Sequence, residues 1–146
     1  MIQNTSRNAD LDVCLAGKGS LDTRMIKLAD RIIRDDAASH TERLAVMAEK
    51  ALLVSTLHYV NSEMPEKDRN LNRAAGIVMD ETHIPYEENY EKYKTDLEKK
   101  IEKIEERDPY DDAVKYYKAY MGFRQDRFIT AASVAYQVMD YIARQE

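Results

Sequence analysis

The chain has 146 residues, of which 44% are apolar and 34% are charged, and its net charge at pH 7 is −5. This length fits a single domain with a sizeable core. The acidic balance disfavours a simple DNA-wrapping protein, which needs surplus cations to displace counterions from phosphates. The single cysteine excludes an intrachain disulfide.

Helix-forming residues dominate the composition, and only four Gly and three Pro interrupt it. We therefore expect an all-α fold, a compact bundle of about six helices. No apolar run is long enough to span a bilayer, and the polar start of the chain has no signal-peptide core. A cytoplasmic location without direct membrane contact is expected.

Residues 1–19 carry no sustained hydrophobic periodicity, which predicts a loose leader with a short turn at Leu11–Leu15. One domain is then expected over 20–146. Ser20 is the expected cap of its first helix, and Asp35–Ser39 the expected end. The apolar residues of this helix recur at three- and four-residue spacing: Leu21, Met25, Leu28, Ala29, Ile32 and Ile33.

The next helix is expected at Thr41–Val60, and it is apolar on most of its sides, which is typical of a helix buried among several neighbours. Pro65 forbids a simple continuation. A shorter helix follows from about Asn70 to Glu81, and Thr82–Pro85 breaks the chain again.

Tyr86–Arg107 reads as one long, highly charged helix with few apolar residues. Tyr90, Leu97, Ile101 and Ile104 form a narrow seam like that of a coiled coil, with Lys94 at the missing position. Such a stripe predicts a helix that lies outside the bundle or projects from it.

Asp108–Pro109 predicts a new helix start, with Asp as the cap and Pro at the first helical position. The last helix, about Asp126–Ala143, is small and apolar, so we expect it at the centre beside Thr41–Val60. Its apolar residues are Phe128, Ile129, Ala131, Ala132, Ala135, Val138, Met139 and Ile142.

Chemistry-bearing patterns are weak throughout the chain. Ala16–Ser20 resembles a phosphate-binding loop but lacks the earlier Gly and the preceding strand, so a flexible linker is the better interpretation. The three histidines are far apart in sequence, and His58 is expected to be a satisfied core or boundary residue. No base is placed to activate Cys14. We predict no catalytic, cofactor or metal site, and no enzyme.

Ten tyrosines without a tryptophan are the most unusual feature of the composition. Seven lie from Tyr86 to Tyr120, and they either pack the later helices together or serve an interface. Basic side chains lie on both sides of Asp108 in the sequence, although the carboxylates between them weaken their electrostatic field. The predicted partner-binding residues there are Lys99, Lys103, Arg107, Lys115, Lys118 and Tyr116.

Several short stretches are similar to type IV coupling proteins, the membrane ATPases of conjugation and type IV secretion. They are Glu49–Leu53, Leu57–Val60, Met64–Glu66, Asn70–Leu71, Asp108–Pro109 and Ala113–Tyr120. The resemblance spans roughly 47–142 and is to the all-α domain of Gram-positive-type members. The chain departs from the family at Met121–Arg127, where a Gly-Lys-Thr-like stretch is expected.

The resemblance implies a substrate-receptor domain on the cytoplasmic face of a membrane-bound oligomer. Its implied partners are a relaxase, relaxosome accessory proteins or other secreted substrate proteins, with DNA as a weaker candidate. The nucleotide site of the parent ATPase would lie outside this chain. The alternative is a stand-alone helical adaptor or regulator that acts through the coiled-coil-like Tyr86–Arg107 helix.

Overall fold

The computed structural model describes residues 10–83 and 92–145. Within these ranges the chain is an all-α bundle without strands, as predicted. Its helices are α1 (Leu11–Cys14), α2 (Leu21–Ile32), α3 (His40–Glu63), α4 (Leu71–Asp80), α5 (Asp96–Arg107), α6 (Asp112–Phe123) and α7 (Arg127–Arg144). Among the residues described, none of these helices has both the length and the apolar character required to cross a bilayer.

Helix α3 forms the centre of the bundle and contacts α2, α4, α6 and α7. Every residue from Ala51 to Val60 is buried, as expected for a helix that is apolar on most sides. The buried Ser55 Oγ donates to the Ala113 carbonyl at 2.6 Å, which joins α3 to α6. The prediction of a central Thr41–Val60 helix is therefore confirmed.

Polar side chains fix where the helices begin. Ser20 Oγ accepts the backbone N–H of Thr23 at 3.1 Å, so the predicted cap of α2 is confirmed. Four further helices begin in the same way, with a side-chain oxygen accepting the N–H three residues later: the caps are Ser39, Asn70, Thr95 and Asp126. Each such bond satisfies a backbone donor that the helix itself leaves unpaired.

The predicted restart at Asp108–Pro109 is wrong by three residues. Asp108 ends α5, and its carboxylate accepts the Tyr110 N–H at 3.0 Å in a turn. Asp111 is the cap of α6 instead, and it accepts the Ala113 N–H at 2.9 Å. Two aspartates in this short stretch suit the same role, and the sequence signal does not distinguish them.

The predicted Tyr86–Arg107 helix is shorter in the described residues. Thr95 caps α5, so Lys94 lies ahead of the helix and does not complete a seam. Tyr86 and Tyr90 lie outside the described residues. Leu97, Ile101 and Ile104 are 3–4% exposed and belong to the core of the chain itself.

The predicted loose leader is wrong for residues 10–15. Leu11 and Leu15 are buried in the core, and the Leu11 N–H donates to the Arg69 carbonyl at 3.1 Å. The expected short turn there is the helical turn α1. Residues 1–9 lie outside the described ranges.

The last helix, α7, does not lie at the centre of the bundle, contrary to the prediction. One side of α7 packs against α4 and α3, while several of its large apolar side chains face solvent. Phe128, Ile129 and Met139, expected in the core, are more than half exposed.

Candidate partner-binding surface

Helix α5 carries its charges on two opposite flanks. Lys99, Lys103 and Arg107 recur every four residues and so follow one side of the helix. The carboxylates on the other side pair with cations from other parts of the chain: Glu98 with Arg127, Glu102 with Lys94 and Glu105 with Lys118. These three carboxylates are already paired, so the charges that dilute the field of the lysine flank are those of Asp96 and Glu106, which lie on the same side of the helix as Lys99 and Lys103.

Two of the predicted partner-binding cations hold helices together. Arg107 Nη2 lies 3.0 Å from Glu63 Oε2 and joins α5 to α3. The Lys118 ammonium pairs with Glu105 and joins α6 to α5. A third, Lys115, lies over the Tyr116 ring at 5.1 Å from its centroid, a cation–π distance.

Tyr116 is also engaged within the fold. Its hydroxyl donates to Asp22 Oδ2 at 3.0 Å, and its ring stacks on that of His58 with centroids 5.8 Å apart. Burial, followed by the hydrogen bond and charge of Asp22, raises the pKa of Tyr116 to about 12, so the hydroxyl remains a donor at neutral pH. Tyr116 therefore connects α6 to α2 and α3.

His58 is buried, as expected of a core or boundary residue, and its Nε2 lies 2.9 Å from Asp22 Oδ1. Of the six predicted partner-binding residues, Lys99 and Lys103 are exposed without an ion pair in residues 10–83 and 92–145. The other four contact neighbouring side chains. The region around Asp108 thus offers a partner fewer available groups than the sequence suggested.

A different surface stands out in the structure, along the outer side of α7. Phe128, Ile129, Tyr136 and Met139 are between 53% and 65% exposed. At 3.6 residues per turn they occupy an arc of about 100°, which also includes Ala132 and Ala143. We call this set of six residues the α7 outer face.

The neighbouring side of α7 already supplies a complete core stripe, formed by Ala131, Val134, Ala135, Val138 and Ile142. The helix is therefore apolar over about two-thirds of its circumference, although only the core stripe is covered; the remaining sector is polar and includes Ser133, Gln137 and Asp140. Such helices are normally enclosed by neighbours, and a contiguous exposed apolar patch usually marks an interaction site. The sequence contains this signal as a second apolar stripe, which periodicity alone does not distinguish from the core stripe.

A groove of about 380 Å³ borders the α7 outer face and shares Tyr136 with it. It lies between α7, the start of α3 and the α2–α3 connection. Its carboxylates are Asp36, Glu42 and Glu49, against a single guanidinium, that of Arg34, which is itself 3.8 Å from Asp140. The groove is therefore acidic and lies next to an apolar face.

No family model matches the chain, and neither the curated proteins nor the solved structures include a significant match.

Proposed function

We propose that this chain is the substrate-receptor domain of a coupling protein for conjugation or type IV secretion, located on the cytoplasmic face of the membrane. Its partner is a protein, a relaxase, a relaxosome accessory protein or another transfer substrate, and the chain itself is not an enzyme. The similarity of residues 47–142 to that family supports this proposal. The structural observation that carries it is the exposed α7 outer face.

Burying the α7 outer face would contribute a useful share of a protein–protein affinity. Its four large side chains are each about half exposed, so covering them is worth roughly 1 kcal/mol per side chain. Aromatic residues and methionine are typical of the centres of protein interfaces. Nucleic acid offers no matching apolar surface, except where bases are unstacked.

The acidic groove beside the face indicates the charge of the segment that binds. A partner segment that places apolar side chains on Tyr136 and Met139 would bring its flanking residues to the groove. Basic flanking residues would be attracted there, and phosphates would be repelled. We therefore propose a protein segment with apolar anchors and basic flanks, and DNA contact, if any, at the Lys99–Lys103 flank.

The alternative of a stand-alone adaptor needs the seam of α5 for self-association. Leu97, Ile101 and Ile104 are buried against the chain's own core. A second copy cannot reach them while α5 stays packed. The outer face of α7 is thus the better supported contact surface.

The test is a pull-down with the chain as bait and the purified relaxase and accessory proteins of its host element as prey. A Tyr136→Asp, Met139→Lys double variant removes the apolar anchors. The matched control is Tyr110→Asp, at a tyrosine that is 89% exposed but lies in the α5–α6 turn. We expect the wild type and the control to capture a partner and the double variant to lose capture.

Two parallel arms separate the competing surfaces. A Lys115→Glu, Lys118→Glu double variant tests the predicted partner-binding residues near Asp108. If this variant loses capture and the α7 variant does not, the binding site lies on α6. A titration with duplex and single-stranded DNA tests the nucleic-acid alternative. Salt-sensitive DNA binding without protein capture would overturn the receptor proposal.

A further inference from the structure

Three helices bring two carboxylates and an imidazole together at one point, although the sequence gave no sign of it. Asp22 lies in the first turn of α2, His58 in the buried part of α3, and Asp112 at the first residue of α6. One ligand atom from each lies within 4.8 Å of the other two. We call these three residues the Asp–His–Asp cluster.

The spacing within the cluster fits metal coordination. Zinc bonds to imidazole nitrogen and carboxylate oxygen are about 2.1 Å long, so two ligands of a tetrahedral ion have donor atoms about 3.4 Å apart. His58 Nε2 and Asp22 Oδ1 are 2.9 Å apart in a hydrogen bond, and they would separate by about 0.5 Å to admit the ion. Asp112 is near enough to close the set through a small side-chain rotation at the surface.

The surroundings hold two of the ligands in fixed positions. His58 is 7% exposed, and its ring is stacked on Tyr116 at an interplanar angle of 7°. The Tyr116 hydroxyl donates to Asp22 Oδ2, which leaves Oδ1 directed at the imidazole. Metal ligands are commonly oriented by such outer hydrogen bonds.

The charge balance of the cluster points independently to a cation. Within the described ranges, neither carboxylate forms an ion pair with a Lys or Arg, and the Asp112 side chain has no hydrogen bond. The start of α6 offsets part of the Asp112 charge through the helix dipole. Two carboxylates nevertheless remain within 4.8 Å of each other, and a divalent cation between them would remove their repulsion.

We propose that the Asp–His–Asp cluster binds one divalent transition-metal ion and thereby ties α2, α3 and α6 together. The chemical class follows from the ligands, because imidazole favours zinc-like ions over calcium and magnesium while carboxylates suit both groups. Three protein ligands leave a position for water or a partner's side chain. The site is distinct from the α7 outer face, so each can be tested without the other.

The first test is calorimetric titration of the chelator-treated chain with Zn²⁺. We expect one bound ion per chain. Asp112→Asn keeps the side-chain shape and should weaken the affinity at least tenfold, while Tyr116→Phe should weaken it by about tenfold through loss of the outer hydrogen bond. Glu106→Gln removes an exposed carboxylate near the cluster in sequence and should leave the affinity unchanged.

A second histidine–carboxylate pair could also bind the titrated Zn²⁺. His83 Nδ1 lies 3.7 Å from Asp80 Oδ1 at an exposed position, so His83→Gln identifies binding there. Circular dichroism of each metal-free variant shows whether it still folds, and Tyr116→Phe serves if Asp112→Asn does not. The proposal would be overturned by the absence of stoichiometric binding, by binding that neither Asp112→Asn nor Tyr116→Phe weakens, or by binding that is lost with His83→Gln.

Discussion

A buried tyrosine–glutamate hydrogen bond should make the stability of the fold depend on pH. The Tyr117 hydroxyl donates to Glu81 Oε1 at 2.7 Å, and the two residues are 1% and 2% exposed. Burial raises the pKa of Glu81 above its ordinary 4.5, against the opposing effects of Thr95, Tyr117 and Arg127. Burial, followed by the Glu81 charge, raises the pKa of Tyr117 as well, so its hydroxyl remains protonated.

Tyr117→Phe deletes the hydroxyl and leaves the rest of the ring packing in place. A hydrogen bond to a charged acceptor is worth about 1.5–3 kcal/mol and one to a neutral acceptor about 0.5–1.5 kcal/mol. Because its pKa is raised, Glu81 keeps its proton to a higher pH than an ordinary carboxyl group does. The loss should therefore be about 1 kcal/mol while Glu81 is protonated and about 2 kcal/mol once it has ionised, which a comparison of about pH 4.5 with about pH 8 tests.

Glu81→Gln tests the pH dependence of stability that the Glu81 carboxyl group itself contributes. A carboxyl group whose pKa is raised on folding stabilises the fold below its ordinary pKa, and that contribution is lost as the pH rises through the raised value. Relative to Glu81→Gln, the wild type should therefore become less stable from about pH 4.5 upwards.

The assay is urea unfolding followed by circular dichroism at both pH values. Tyr136→Phe is the matched control, since that tyrosine is 64% exposed, and its change should stay within about 0.5 kcal/mol. Near pH 8 the melting temperature of Tyr117→Phe should fall by about 6 °C. An equal loss at the two pH values would refute the reasoning that Glu81 ionises in the folded state.

Three further substitutions test the packing by urea unfolding. Leu11→Ala should cost about 2–5 kcal/mol because the side chain is fully buried, whereas a loose leader would tolerate it. Ser55→Ala should cost about 1 kcal/mol through the lost bond to Ala113, and no change would contradict that role. Leu97→Lys should unfold the chain at any protein concentration, while loss of a dimer with the fold intact would favour the adaptor alternative.

Local patterns predicted most of the fold. The apolar circumference of α3 indicated a central helix, and Ser20 indicated the start of α2, because both signals act within a few residues. The same reasoning failed on α7. Its apolar residues fill two sides, and only the packing of the whole chain determines that Phe128 and Met139 face solvent.

The candidate sites were harder to predict than the helices. Asp22, His58 and Asp112 lie on three separate helices, so no sequence spacing relates them. Lys118 and Arg107 were predicted to bind a partner because of their positive charge. Their intramolecular ion pairs with Glu105 and Glu63 become evident only when the helices pack. Sequence patterns describe single elements, whereas these sites arise between elements.

The central proposal is recognition of a protein partner by the α7 outer face, and an affinity titration tests it most directly. The purified relaxase or accessory protein is titrated into the wild type, the Tyr136→Asp, Met139→Lys variant and the Tyr110→Asp control. We expect saturable binding that the control retains and the double variant loses by at least about tenfold, as the removal of two interface anchors implies. Equal affinity for all three proteins would contradict the proposal.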